Sequence, residues 1–134
     1  MDTQVKSAME ACSKASDESS LSFPQVVARL MDAGVEWYHA DLLRSEKTYY
    51  LPDGKSHAVP NAALSHAPAH EFSPAGVENA IRAIQAQSIT YKEFCERIGA
   101  AGCVGYFVSF PGRQAIYFGR SGASHVEPFP PAKQ

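Results

Sequence analysis

A chain of 134 residues is long enough to bury a core without disulfide or metal staples. Its 45% hydrophobic and 19% charged content is that of an ordinary globular protein and argues against wholesale disorder. A formal charge of −2 offers no electrostatic footprint for a phosphate backbone, so nucleic-acid binding is disfavoured as the main role.

The N-terminal residues MDTQVKSAMEACSK lack the pattern of a secretory leader, and no apolar run approaches about 18 residues. The expectation is a cytoplasmic chain that no membrane holds. Val5, Ala8, Met9 and Cys12 then recur at the spacing of one helical face. A polar loop is expected over Ser13–Leu21. The next helix opens on Ser22-Phe-Pro-Gln25, a capping box, and carries Phe23, Val26, Val27 and Leu30 on one face. Gly34 closes it, since glycine accepts the left-handed conformation a helix end requires. Aromatic and β-branched residues predict strands over 35–43 and 46–51, with Arg44-Ser45 as the turn between them. Asp53-Gly54 turns the chain into a short third strand ending near Pro60.

Residues 61–72, NAALSHAPAHEF, read as an irregular connector. Ser73-Pro74 supplies an N-cap and an N1 proline to a third helix with Val77, Ala80, Ile81 and Ile84 on its stripe. Thr90-Tyr-Lys-Glu93 is a second capping box; Tyr91, Phe94, Cys95 and Ile98 form the face that follows, and Gly102 ends the helix. Strands are predicted over 103–110 and 114–119 around Pro111-Gly112, and Ser121-Gly122 leads into a last strand ending near Pro128. The proline-rich tail 129–134 is expected to be extended.

Sliding the chain by 68 lays residues 22–60 on 90–128 without a gap. Nine positions are then identical, among them Gly34/Gly102, Tyr38/Tyr106, Tyr49/Tyr117 and His57/His125, where chance gives roughly two or three. The first helices correspond at an offset of 72. The expectation is therefore one α+β domain, a tandem duplication of an α-α-β-β-β unit over about 2–60 and 73–128. An antiparallel sheet would pack against helices with pseudo-two-fold symmetry.

The stretch ITYKEFCERIGAAGCVGYFVSFPGRQAIYFGRSGASHVEPFP, with its Gly-Cys-Val-Gly-Tyr strand and terminal His-Val-Glu-Pro, resembles the YbcV-like prophage family. That family is of unknown function and is sometimes labelled phage envelope protein. The resemblance implies prophage origin over nearly the whole chain and assigns no catalytic residue. Its label adds a structural virion component as a third reading.

Candidate chemistry is sparse. The repeated Gly-x-Ser-His motif ends in His57 and His125, which a pseudo-dyad would have to bring onto one metal ion or anion. The plainer reading is a turn glycine followed by strand decoration. His66 and His70 stand i, i+4, yet Pro68 between them argues against a helix. Trp37, His39 and Asp41 share one strand face opposite to Tyr38 and Ala40, and this face departs from its second-repeat counterpart of Gly105, Phe107 and Ser109. Those three would bind a small polar ligand or act as acid and base, against the plain reading of a solvent-facing strand. Cys12, Cys95 and Cys103 read as reduced, packed thiols, and neither a cofactor nor a resident metal is expected.

The leading expectation is a non-enzymatic binding or interaction module, with a protein partner or self-association. The rival is a small-molecule-binding protein or enzyme with its site on the first-repeat sheet face or at the pseudo-axis. A deep polar pocket holding the histidines would favour the rival; a flat face with aromatics would favour the module.

Overall fold

The computed structural model describes residues 1–18 and 21–129. The expected extended tail over 130–134, and Ser19-Ser20 of the expected loop, lie outside the described residues. The elements run α1 (Thr3–Asp17), α2 (Phe23–Asp32), β1 (Trp37–Asp41), β2 (Glu46–Tyr50), β3 (Ser56–Pro60), α3 (Pro74–Gln85), α4 (Tyr91–Ala100), β4 (Cys103–Ser109), β5 (Gln114–Gly119) and β6 (Ser124–Pro128). The class is α+β; among the described residues four helices lie on one antiparallel six-stranded sheet ordered β3-β2-β1-β4-β5-β6.

The caps act as local chemistry requires. The Gln25 amide donates to the Ser22 hydroxyl while the Ser22 amide donates to the Gln25 side chain, and Thr90 and Glu93 repeat the exchange. Gly34 and Gly102 take φ of 89° and 87°. At the first, the Val35 amide reaches back to the Leu30 carbonyl and the Gly34 amide to Met31, a Schellman closure. Gln87 does the same for α3 at φ 57°, a signal the sequence does not advertise.

Three expectations are corrected. Residues 13–17 are helical rather than loop, because the Ser13 hydroxyl donates to the Pro60 carbonyl and so does not compete with its own helix. Each long hairpin turns through four residues rather than two: Asp41 pairs with Glu46 and Ser109 with Gln114. Side chains close these loops, with Asp41 accepting from the Leu43 and Arg44 amides and Ser109 from Gly112. Ser45 and Arg113 then supply the left-handed residue, at φ 54° and 51°. The strand β1 is also shorter than the expected 35–43, since Val35 is drawn into the helix closure and Leu42 into the loop.

The two halves carry the same registers at an offset of 68. Trp37 pairs with Tyr50 as Gly105 pairs with Phe118, and Glu46 pairs with Pro60 as Gln114 pairs with Pro128. They meet at β1 and β4, which pair antiparallel with His39 opposite Phe107. One set of alternate strand residues, including Tyr38, Ala40, Tyr49, Tyr106, Val108 and Tyr117, joins Met9, Leu30, Val77 and Ile98 of the helices in a single core. Fully burying a side chain of the Leu or Ile class contributes about 1.5–3 kcal/mol, so this one side of the sheet carries the stability. The connector packs too: Ala69 and Ser73 donate to the carbonyls of Gly99 and Ala101, and Arg120 donates to Pro68.

Candidate functional site

With the helices on one side, the other set of alternate residues forms an open face that reads as a grid of three rows across six strands. The row at one end is Ser56, Tyr50, Trp37, Ser109, Gln114 and Pro128. The middle row is Ala58, Thr48, His39, Phe107, Ile116 and Val126. The far row is Pro60, Glu46, Asp41, Gly105, Phe118 and Ser124. Among the described residues no element packs over this grid as the helices pack over the other side.

Its centre is aromatic. Trp37 and Tyr50 stack with ring centroids 4.0 Å apart and planes 5° from parallel. His39 stacks on Phe107 at 4.7 Å and lies 6.1 Å from Phe118, while Phe107 and Phe118 stack at 5.4 Å. These rings face one another across neighbouring strands, so they stand on the sheet and turn their edges, not their faces, outward. They are half-buried by one another rather than by a helix. Gly105 makes room for them. A Cβ there would lie 3.0 Å from the Phe118 ring and 3.2 Å from His39 Nε2, as well as 2.9 Å from the Ala40 carbonyl oxygen.

The expected trio of Trp37, His39 and Asp41 does share this face, and each member already has a local task. Burial lowers the His39 pKa, and the raising influence of Asp41 does not offset it, so the imidazole is neutral near pH 7. Asp41 accepts the turn amides of Leu43 and Arg44.

His57 and His125 are not brought together. They lie on the helix side of the two outermost strands, five strand spacings apart, or roughly 24 Å at about 4.8 Å each. His57 Nε2 is 3.1 Å from Glu10 of α1, and His125 Nε2 is 3.2 Å from Glu127, which also takes Arg82 of α3 at 2.9 Å. Burial opposes ionisation of Glu127, but the hydrogen bonds from Arg82 and His125 outweigh it and hold its pKa below the usual value. His66 and His70 are exposed on the connector. Among the described residues no group of three or more His, Cys, Asp or Glu could hold a metal ion.

Sequence reasoning missed Tyr50 and Phe118 on the open face, although both sit at the parity opposite to the core tyrosines. It also missed a polar cluster inside the core. Lys47 is 3% exposed, with Nζ 4.6 Å from the Tyr91 ring centre and 5.7 Å from that of Tyr38. Nearby the Tyr106 hydroxyl lies 2.6 Å from that of Tyr91, which donates to buried Asn61 at 2.8 Å. Burial pushes the Tyr91 and Tyr106 hydroxyls well above the ordinary phenol value. Burial also raises the Cys12 thiol, and the Cys103 thiol to about 11, so neither is a ready nucleophile.

Two hollows of about 320 Å³ each are present, one at the β2–β3 corner of the face lined by Arg44–Glu46 and Ala58–Pro60, the other away from it lined by Met31, Gly34–Glu36, Pro52, Phe110 and Pro111. Neither contains His39, His57, His125 or Lys47.

A model of the family described as "Protein of unknown function (DUF1398)" matches residues 14–126. The chain belongs to that family. The DUF1398 match runs from the end of α1 into β6 and so takes in all four central strands of the open face. No curated protein matches the chain.

Proposed function

We propose that this DUF1398 member is a non-enzymatic binding or interaction module whose contact surface is the open face of the sheet. The carrying observation is the ladder Tyr50, Trp37, Phe107, His39 and Phe118, which crosses four strands with no helix over it. Half-buried rings that meet water at their edges cost free energy that burial against a partner recovers. Neither of the two hollows holds any residue of this ladder. Trp37 and His39 are the residues of the original trio that this reading carries forward as contacts, with Asp41 shaping the rim; His57 and His125 are assigned to holding edge strands to helices.

The same proposal includes tandem duplication of one α-α-β-β-β unit within a single domain, supported by the identical registers at an offset of 68. It also includes a YbcV-like prophage origin and a cytoplasmic location. The location draws on one structural fact, that no described helix is long and apolar enough to cross a membrane.

The test uses a neutral environment-sensitive dye, Nile red, at chain concentrations low enough to leave the face free. Its emission should rise on the wild-type protein, with quenching of Trp37, the one tryptophan of the chain. A Trp37→Ser, Phe107→Ser double variant with an unchanged circular dichroism spectrum should lose most of that dye signal. Equal dye binding by both proteins would overturn the reading.

A further inference from the structure

We infer that the occupant of the open face is a second copy of this chain, packed sheet on sheet about a two-fold axis parallel to β1 and β4. This rests on the contact-surface reading above and adds to it the identity of the partner.

Charge narrows the choice first. The face carries two charged residues, Asp41 and Glu46, both acidic and both at one end, where Arg44 lies 3.4 Å from Glu46. Among the described residues no cation stands among the aromatic rings, so a nucleic-acid strand or an anionic lipid surface would find nothing there to neutralise it. The rings also present edges, whereas stacking a base needs an exposed ring face. An uncharged, corrugated apolar surface is the better match, and another sheet is such a surface.

Area is the second argument. Six strands at about 4.8 Å and five residues at about 3.4 Å give a footprint near 500 Å². Two such faces together remove on the order of 1,000 Å² from water, the lower bound for a specific interface and the size of a weak, reversible one. Edge-to-edge pairing is the competing route, and the edges resist it. Both outer strands are five residues long and end in proline, at Pro60 and Pro128.

Shape selects the axis. The first half of the face is tall at one end, where Trp37 and Tyr50 stand together; the second half is low there, at Ser109 and Gln114. A two-fold axis along the strands lays β2 of one copy over β5 of the other. It sets each Trp37–Tyr50 ridge over the partner's low corner and His39 over Phe107. Thr48 then lies over Ile116, and the acidic ends meet Gly105 and Phe118 rather than each other. An axis across the strands would instead set the Trp37–Tyr50 ridge over Asp41 and Glu46 and lay Ser109 over Gly105, low against low.

Sedimentation equilibrium of the full chain tests this directly. The wild-type protein should approach twice its 14.5 kDa at tens of micromolar, with Trp37 emission moving to the blue along the same concentration curve. Thr48→Lys and Ile116→Glu should each be monomeric with unchanged circular dichroism. Mixing the two variants should restore a dimer, because the strand-parallel axis opposes the introduced ammonium to the introduced carboxylate. A monomeric wild-type chain overturns the inference whatever the variants do. A dimer indifferent to both substitutions, or no rescue on mixing, overturns it as well. A monomer that still binds Nile red at the face leaves the contact-surface reading standing; a monomer that binds none removes both.

Discussion

Gly34 and Gly102 occupy equivalent helix ends with nearly equal φ, yet their surroundings differ. A Cβ at Gly34 meets nothing within 4 Å, whereas one at Gly102 would run into the Glu71 carbonyl of the connector. Left-handed backbone costs a non-glycine residue about 1–2 kcal/mol, and that is the whole cost expected for Gly34→Ala. Gly102→Ala must also displace backbone that is pinned by the Ser73 amide on Ala101, so its loss should be clearly larger. Paired thermal melts check the ranking; equal midpoints for the two variants would show that the connector yields freely. Residue scale is also where sequence reasoning reached furthest. Capping boxes, turn glycines and the core stripes are local patterns, and Ser22, Thr90 and Leu30 play the parts their spacing predicts. Lys47 escaped because a lysine on a strand reads as solvent-facing. Only its parity with Tyr49, together with Tyr91 folding over it, puts its ammonium inside.

At the scale of elements, the edge strands are tied to the first helix of each half by different chemistry. Where β3 meets α1 through His57 and Glu10, β6 meets α3 through His125, Glu127 and Arg82. Glu127 has its pKa depressed in the fold, so the native state binds fewer protons there than the unfolded chain. The stabilisation is therefore complete above the ordinary carboxylate value and fades as pH falls through the lower folded value. Glu127→Gln should reduce stability by the same amount at neutral and alkaline pH and flatten the acid limb of the stability curve. Urea unfolding at a series of pH values measures this, and an unaltered acid limb would remove the Arg82–Glu127 contact from the account. The two histidines stand out in the chain because they repeat. Repetition at the two outermost strands separates such residues instead of joining them.

For the whole molecule, the seam between β1 and β4 and the contact of α1 with α4 commit the halves to one core. Trp37 lies in the first half alone, while circular dichroism reads all four helices and both halves of the sheet. If the halves unfold together, the two signals should trace one coincident transition at a concentration held constant. A tryptophan transition that precedes or follows the dichroic one would instead mean that the halves melt separately.

The element order, the helix ends and the correspondence of the halves are legible in the chain itself, because each rests on interactions within a few residues or on identities at a fixed offset. Alternation likewise tells that Trp37, His39 and Asp41 share a strand face. Alternation is silent on which face the helices cover and on which strand lies beside which. Those outcomes are long-range: β1 meets β4 across 68 residues, Phe118 comes to stack beside Phe107 over Gly105, and the tyrosines close around Lys47 only once α4 has docked. Burial and pairing over such separations are decided by how the elements pack as a set, so the open aromatic face became visible only in the tertiary structure.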